Sequence, residues 1–148
     1  MKIFKTRKVK TPYRGTPLSA GLDFFVPDDF PGEHALLPGD AINIPSGIRV
    51  KVPHGYALVF MNKSGVAVKK GLQVGACVVD EDYQGEVHLH VRNTTGEIQF
   101  ISPGEKLVQA LLLPVSYEGI EEAESLSDLY EGEVTQRGEG GFGSTGTK

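Results

Sequence analysis

The sequence predicts an all-β protein with little helix, and two observations support this fold class. Turn signals built on glycine or proline recur every roughly eight to fifteen residues, from Arg14-Gly15 to Pro103-Gly104, and the runs between them are short. Residues 87–91 alternate apolar and polar side chains, which is the period of a half-buried strand. Many short strands joined by such turns are typical of a β-barrel or a β-sandwich.

The individual elements follow from the runs between the turns. The strand-like runs are Ala41–Ile44, Ile48–Val52, Tyr56–Met61, Glu86–Val91 and Lys106–Leu113, and the turn signal Ser46-Gly47 separates the first two. Only two stretches favour a helical turn, and these are Val66–Lys70 and Ala123–Leu129.

Composition bounds the kind of protein. The chain has 148 residues and a net charge of −4, which fits one globular domain and argues against stable nucleic-acid binding. The single cysteine, Cys77, suits a reducing compartment. The N-terminus has no apolar signal segment, and the longest apolar run, Leu107–Leu113, is too short to span a bilayer. We therefore expect a cytoplasmic protein that does not insert into membranes.

The last twelve residues combine mobility with phosphate-binding chemistry. Five of them are glycine, so a free tail of this composition should be flexible. Arg137 can hold a phosphate, Phe142 can cover an aromatic face, and Ser144 and Thr145 can bind further phosphate oxygens. The tail therefore resembles a lid that becomes ordered over a nucleotide.

A wide-turn hairpin is predicted where Val78-Val79 meets Asp80-Glu-Asp-Tyr-Gln-Gly85. Asp80 follows an apolar run, so it is either a turn-forming residue or a general base at the mouth of a pocket. Tyr83 is either a packed aromatic or a binding platform. Asp80 and Asp82 could both ligate a metal, although one acidic turn is weak evidence for such a site.

Other segments are ambiguous when each is taken alone. Lys63-Ser64-Gly65 precedes the first possible helical turn, so it either presents amides and a hydroxyl to phosphate or supplies a helix cap. Gln109 lies inside an apolar strand and needs hydrogen-bond partners there, or a ligand. His88 and His90 share a strand face, but without further Cys or His partners they do not indicate a metal site.

The order of these segments resembles the trimeric dUTPase family. Its five motifs are matched in sequence order by Ala20–Asp23, Lys63–Gly65, Cys77–Gly85, Gly104–Gln109 and Arg137–Gly146. The third and fifth matches are highly specific, and together the five span nearly the whole chain.

The resemblance implies a jelly-roll-like dUTPase β-barrel with a flexible, Gly-rich C-terminal arm. It also implies a homotrimer with active sites shared between subunits, and hydrolysis of dUTP to dUMP and pyrophosphate with Mg²⁺. The implied domain covers residues 1–134, with an extra surface element around 119–132 that could bind a protein partner. Residues 135–148 would then form the arm that closes the site.

The resemblance also implies a role for each matching residue. Asp80 would be the catalytic base, Tyr83 would pack on the deoxyribose, and Asp23 would order the water shell of the Mg²⁺. The hairpin strands around Cys77, Val78, Val79 and His88 would recognise uracil through backbone groups. The phosphates and the closing arm would involve Lys63, Ser64, Gly65, Gln109, Arg137, Phe142, Gly143, Ser144 and Thr145.

Three residues depart from the family pattern. Lys63 and Lys106 stand where arginine is usual, so the positive charge is kept but the bidentate fork is lost. Cys77 replaces the usual glycine, and its side chain would either crowd the uracil slot or point into the core.

Two alternatives stay open on the sequence. One is a dCTP deaminase, or a bifunctional deaminase–dUTPase, of the same fold, although that reading does not expect the complete tail. The other is a regulatory protein on a dUTPase scaffold.

Overall fold

A computed structural model describes residues 1–141 of the chain, and strands dominate its secondary structure. This confirms the all-β prediction. The elements are β1 (Lys2–Lys5), β2 (Leu22–Phe25), β3 (His34–Leu36), β4 (Ala41–Lys51), β5 (Tyr56–Asn62), α1 (Ser64–Lys70), β6 (Leu72–Val74), β7 (Val78–Val79), β8 (Glu86–Asn93), β9 (Gln99–Ile101), β10 (Lys106–Pro114) and α2 (Leu126–Leu129).

The strands form two four-stranded sheets and one two-stranded sheet, and all neighbouring strands are antiparallel. The first sheet has the order β1-β4-β8-β6, the second has the order β2-β10-β5-β7, and β3 pairs with β9. Neighbours in a sheet are therefore distant in the chain. Segments from the two ends of the first 116 residues lie side by side in the second sheet, where β2 meets β10.

The core consists of apolar side chains on the inner faces of the strands. On β8 the buried residues are Val87, Leu89 and Val91, which confirms the alternation that the sequence predicted. Phe24 on β2 packs edge-on against Phe60 on β5, with ring centroids 4.8 Å apart. Because such burial removes large apolar surfaces from water, it supplies the main driving force for the fold.

The interpretation of Ser46-Gly47 as a turn between two strands is wrong. Strand β4 runs through this point, and the ladder to β8 is irregular between Pro45 and Arg49. Gly47 adopts φ 75°, and its amide donates to Glu86 Oε1 at 2.6 Å. The glycine therefore makes a bulge that kinks one long strand, because its backbone can take a left-handed conformation without ending the pairing.

The chain divides into two compact units, Met1–Ser116 and a second unit that begins at Tyr117. The division into a catalytic domain over residues 1–134 and a closing arm over residues 135–148 stays a prediction. Neither helix in residues 1–141 has the length or apolar character needed to cross a membrane.

Between residues 117 and 141 the second unit contains one helical turn, α2, inside the predicted range. Its cap is Ser125, whose Oγ accepts a hydrogen bond from the Asp128 amide at 3.1 Å. Asp128 Oδ2 in turn accepts from the Glu124 amide at 3.0 Å. Such reciprocal capping satisfies amides that a short helix leaves unpaired. An extra surface element over 119–132 remains a prediction.

Asn93 at the end of β8 is a buried polar centre that suits a stability test. Its amide nitrogen donates to the carbonyls of Leu36 and Glu97, and its Oδ1 accepts from the amide and hydroxyl of Thr95. Asn93→Ala should lower the free energy of unfolding by about 3 kcal/mol, because several buried groups lose their partners.

The measurement is urea unfolding at fixed protein concentration. Asn43→Ala, at an exposed position of β4, is the matched control and should cost less than about 0.5 kcal/mol. Equal losses for the two variants would contradict the role of Asn93.

Candidate active site

A cleft of about 270 Å³ opens beside the predicted hairpin. Strand β7 forms one side through Val78 and Val79, and the start of β8 forms the other. The connecting loop carries Asp80 and Tyr83 at its edge. The lining residues are Asn43, Phe60, Ala76, Cys77, Val78, Val79, Asp80, Tyr83, Glu86, Val87 and His88. The structure thus brings together residues that the sequence singled out, but the predicted hairpin is wrong. Strand β7 pairs with β5 in the second sheet and β8 pairs with β4 and β6 in the first, so the Asp80–Gly85 turn connects two sheets.

Asp80 lies at the end of β7 and is exposed. Its backbone carbonyl accepts from the Tyr83 amide at 3.3 Å, which makes the segment a turn. Within residues 1–141 its carboxylate has no hydrogen bond or ion pair to another side chain. Both roles considered for Asp80 are therefore compatible, since the backbone makes the turn while the carboxylate stays available as a base.

Glu81 anchors the loop from outside the cleft. One carboxylate oxygen is 2.9 Å from His54 Nδ1, and the other accepts from the Gly55 amide at 2.9 Å. His54 and Gly55 belong to the turn between β4 and β5, so this contact fixes the loop that carries Asp80 against a second turn. No short motif reveals this pairing, because its partners lie 26 and 27 residues apart in sequence.

Tyr83 is both packed and partly open. Its hydroxyl donates to the Glu86 carbonyl at 3.0 Å, and its ring lies over Gly85, where an added Cβ would be 2.3 Å from the phenolic oxygen. The side chain is nevertheless 43% exposed. Because Gly85 has no side chain, the Tyr83 ring can lie against the turn after β7, and an aromatic surface remains for a ligand.

A buried carboxylate with two lysine partners forms a second cluster. Asp23 on β2 is 5% exposed, and its two oxygens accept from Lys63 Nζ at 2.7 Å and Lys106 Nζ at 3.0 Å. Lys63 precedes α1 and Lys106 begins β10. The two lysines that replace the usual arginines therefore bind the same aspartate.

The electrostatics of this cluster follow from its burial and its charges. Burial alone would raise the pKa of Asp23, but the hydrogen bonds and charges of Lys63 and Lys106 outweigh burial and lower the pKa below its ordinary value. The pKa of Lys106 is raised, first by its contact with Tyr13 and then by Asp23. The Lys106 ammonium lies 4.8 Å from the centroid of the Tyr13 ring. Asp23 and Lys106 are thus held in their ionised forms.

The segment Lys63–Gly65 starts α1, as the sequence suggested. The cap position is Lys63, with extended backbone and no side-chain cap, so the alternative that Ser64 is the helix cap is wrong. Ser64 and Gly65 are the first two residues of the helix, where amides have no partner within the helix.

Gln109 faces a neighbouring glycine rather than a buried cavity. It lies opposite Asp23 in the β2–β10 register, and its Nε2 donates to the Asn62 carbonyl at 2.8 Å. A Cβ added at Gly21 would be 2.4 Å from Gln109 Oε1, so the first motif needs glycine to pass this side chain. Gln109 also lines a second cleft of about 470 Å³ with Ala20, Phe60, Met61, Asn62, Val74, Gly75, Cys77 and Leu111.

Cys77 and the two histidines belong to the same region. Cys77 is half-buried, packs against the apolar core and lines both clefts. His88 is exposed, with Nδ1 3.0 Å from the Glu86 carbonyl. His90 Nδ1 accepts from the Ala76 amide at 3.0 Å. The sequence placed both histidines on one face but gave no signal for the backbone partner of His90.

The described part of the chain holds no cluster of three or more His, Cys, Asp or Glu that could bind a metal. The interpretation of Asp80 and Asp82 as a metal site therefore has no support in residues 1–141. An ion that takes its ligands from a nucleotide and from water needs no such cluster, because Mg²⁺ usually keeps several waters and binds substrate phosphates.

The tail residues are placed only in part. Arg137 belongs to the second unit, where its Nε donates to the Gly140 carbonyl at 2.8 Å. The predictions for Phe142, Gly143, Ser144 and Thr145 fall outside the described residues.

Comparison with known proteins agrees with this geometry. The sequence profile of the dUTPase family matches residues 7–146. The deoxyuridine 5'-triphosphate nucleotidohydrolase of Hydrogenobaculum sp. is 34% identical over 139 residues, which cover 93% of this chain and 90% of that protein. The enzyme of the same name from Mus musculus is 36% identical over 135 residues, covering 91% of this chain and 77% of that protein.

Solved structures show the same fold. The dUTPase of Staphylococcus bacteriophage 80alpha with dUPNHPP has a TM-score of 0.80 at 22% identity, over 99% of this chain and 98% of that chain. The dUTPase of phage phi11 of S. aureus, which has a species-specific insert, has a TM-score of 0.74 at 21% identity, over 84% and 96%. These similarities confirm the jelly-roll-like dUTPase fold. On the full-length profile match and the identities to its relatives, this chain belongs to the dUTPase family.

Proposed function

We propose that this chain is a dUTP nucleotidohydrolase, which converts dUTP to dUMP and pyrophosphate. The observation that carries the proposal is the cleft between β7 and β8. At its edge lie a partly exposed Tyr83 ring and an Asp80 carboxylate that has no side-chain partner within residues 1–141. The chain also belongs to a family whose named relatives bear this activity in their names. The product dUMP would serve thymidylate synthesis, and removal of dUTP would keep uracil out of DNA.

Asp80 acts as the general base in this proposal. A water positioned in line with the α-phosphorus loses a proton to the Asp80 carboxylate as it attacks, and pyrophosphate leaves. Since Asp80 has no cationic partner among residues 1–141, its carboxylate is free to accept that proton. A positioned base of this kind typically contributes about 10²–10⁴-fold in rate.

Selection of deoxyuridine is assigned to the cleft between β7 and β8. The backbone at Cys77, Val78, Val79 and His88 reads the edge of uracil in a slot too narrow for the methyl group of thymine. Tyr83 packs on the deoxyribose and leaves no room for a ribose 2′-hydroxyl. The support for these roles is that all five residues line one cleft.

Binding of the triphosphate is assigned to residues that lie outside the cleft between β7 and β8. Ser64 and Gly65 offer the amides at the start of α1, Gln109 offers its side-chain amide, and Lys63 offers positive charge. When bound with the nucleotide, Mg²⁺ offsets the negative charge that would repel the attacking water. Asp23, already fixed by two lysines, would order water around that ion rather than ligate it directly.

A homotrimer with shared active sites explains why these groups are separate in one chain. The cleft that Asp80 lines does not include Lys63, Ser64 or Gln109. Packing of three copies would set the β7–β8 cleft of one subunit beside the phosphate-binding residues of another. The arm of a subunit would then close the site, with Arg137 on the γ-phosphate, Phe142 over the base, and Gly143, Ser144 and Thr145 along the phosphates.

The surroundings of the enzyme are also part of the proposal. We expect it to work in the cytoplasm, without a membrane and without stable nucleic-acid binding. The stretch around 119–132 exposes Ile120, Leu126, Leu129 and Tyr130, which suits a surface that could contact a protein partner.

The first test is a panel of nucleotides. Purified protein with Mg²⁺ should release pyrophosphate from dUTP, and turnover of dTTP, UTP and dCTP should be at least about 100-fold lower in kcat/KM. The methyl group of thymine and the ribose 2′-hydroxyl would clash with the slot, and cytosine would leave its hydrogen-bonding groups mispaired. Pyrophosphate release and base analysis are followed together. Conversion of dCTP to dUTP, without hydrolysis of added dUTP, would favour the deaminase alternative instead.

The second test removes the base. Asp80→Asn should lower kcat by about 10²–10⁴-fold, since the amide cannot accept the proton, while dUTP affinity by calorimetry stays within a few-fold. Asp40→Asn, on the exposed turn before β4, is the matched control and should keep full activity. Substantial residual turnover in Asp80→Asn would remove this residue as the base.

The third test concerns pH and Asp23. Because its folded pKa is lowered, Asp23 contributes stability above its unfolded pKa of about 3.9, and this contribution is lost as the pH falls through the folded pKa. The wild-type protein should therefore lose stability more steeply below about pH 4 than Asp23→Asn. Urea unfolding at several pH values measures the two slopes, and equal slopes would mean that Asp23 is not the lysine-paired acid.

A further inference from the structure

The segment Gly75–Cys77 is held against β8 by a side chain. This segment joins β6 to β7 and contributes to both clefts. The Gly75 amide donates to the His90 carbonyl at 3.1 Å, which continues the pairing of β6 with β8. The next amide, of Ala76, donates to His90 Nδ1 at 3.0 Å. The ring of His90 therefore accepts the first amide hydrogen bond beyond the end of the β6–β8 ladder.

The direction of this hydrogen bond fixes the state of the ring. A backbone amide can only donate, so Nδ1 must accept and the ring proton must lie on Nε2. A protonated imidazole carries hydrogen on both nitrogens and would turn a donor toward the Ala76 amide. The contact thus exists only with a neutral ring.

The backbone and the ring are in direct contact. A Cβ added at Gly75 would lie 2.0 Å from His90 Nδ1, so only glycine lets the chain approach this closely. On the far side of the segment, the Phe60 amide donates to the Cys77 carbonyl at 2.7 Å. The segment is held from two strands at once, and the His90 contact is the one that depends on a proton.

The charged neighbours of His90 are few. On β8, its own strand, Glu86, His88 and Arg92 share its face, and the Glu86 carboxylate accepts from the Gly47 amide. Cys77 is the titratable group of the segment itself. The residues that pair with His88, His90 and Arg92 from β4 and β6 carry no charge, and they are Ala41, Asn43, Pro45 and Gln73. The Glu86 carboxylate lies four residues along the strand and is held by Gly47, and within residues 1–141 no carboxylate forms an ion pair with the His90 ring.

We propose that His90 is a pH-sensitive positioning residue, whose neutral ring holds the Gly75–Cys77 wall of the uracil slot and whose protonation releases it. This inference rests on the proposed function, since it assigns the wall to nucleotide binding. His90 does not touch the reacting atoms, so it acts on affinity for the base rather than on the attack at phosphorus.

The first experiment compares KM for dUTP across pH 5.5–8 in the wild type and in two variants. His90→Asn keeps an acceptor that does not titrate, and His90→Phe keeps a ring without an acceptor. Imidazole groups titrate near pH 6.5, and one hydrogen bond is worth a factor of about 2–10. Titration of the substrate affects both proteins equally, so it cancels in the ratio of wild-type KM to His90→Asn KM. This ratio should rise by that factor toward low pH, because only the wild-type ring loses its acceptor when it is protonated.

Two comparisons sharpen this result. His90→Phe should show a raised KM at all pH values with kcat nearly unchanged. His34→Asn, on β3 and outside both clefts, is the matched control and should follow the wild-type profile. A wild-type to His90→Asn ratio that stays constant with pH would overturn the proposal.

The second experiment needs no activity. Cys77 is the single cysteine of the chain and lies within the segment, so its rate of reaction with dithiodipyridine reports how often the segment opens. The ratio of the wild-type rate to the His90→Asn rate cancels the pH dependence of the thiol. This ratio should rise as the pH falls, and a constant ratio would refute the release of the segment.

The two readouts separate the two proposals. If the wild type fails to hydrolyse dUTP, the proposed function is wrong, while the thiol ratio still tests the contact between His90 and Ala76. If dUTP is hydrolysed and both ratios are flat, only the role of His90 is wrong.

Discussion

The buried carboxylate of Asp23, held between Lys63 and Lys106, is the interaction on which the candidate site depends. Asp23 sits in an apolar strand beside Phe24 and is almost fully buried. A lone charge there would be costly, whereas two ammonium groups at hydrogen-bond distance offset the loss of water. This single carboxylate ties together β2, the start of α1 and the start of β10, so three of the family's motifs are fixed by one ion cluster.

The replacement of arginine by lysine has a clear consequence for this cluster. A lysine ammonium is a compact charge on a flexible stem, and it does not form the planar fork of arginine. Lys63 and Lys106 each give one hydrogen bond to a separate oxygen of Asp23. Their side chains are 30% and 39% exposed, so each ammonium also faces water. The cluster therefore keeps its positive excess at the surface, where an anionic ligand would meet it.

The sequence was sufficient for the fold class and for the residues of the turn after β7, since both depend on local patterns. The predicted hairpin was wrong, because β7 and β8 find their partners in different sheets and a local pattern does not determine that choice. The alternation on β8 and the acidic turn from Asp80 to Gly85 appear in the structure where the pattern put them. The interpretation of Ser46-Gly47 as a turn was wrong, because the same dipeptide can form a turn or a bulge within a strand. Only the pairing with β8 distinguishes the two. The partners of Asp23 and Glu81 could not be predicted, because they come from segments dozens of residues away that only the folded sheets bring close.

Three contacts around the cleft between β7 and β8 have the same physical effect, which is to hold the backbone of the cleft in place. A slot that reads a base through its backbone has few side chains of its own to keep it in shape, so the backbone must be held from behind. Glu81 holds the loop at Gly55, the Tyr83 hydroxyl holds the turn at the Glu86 carbonyl, and His90 holds the opposite wall at Ala76. Each contact joins a side chain to a backbone group, and the Glu81 carboxylate makes its contact from outside the cleft.

Such an arrangement separates recognition from support. The side chains that hold the slot can differ between relatives without altering the backbone groups that meet the base, provided that each replacement still offers an acceptor or donor at the same point. His90 is the exception among the three in this chain, because protonation would turn its acceptor nitrogen into a donor and break the contact with the Ala76 amide. Of these three contacts, the one at the Gly75–Cys77 wall is therefore the one that depends on the protonation of a ring nitrogen.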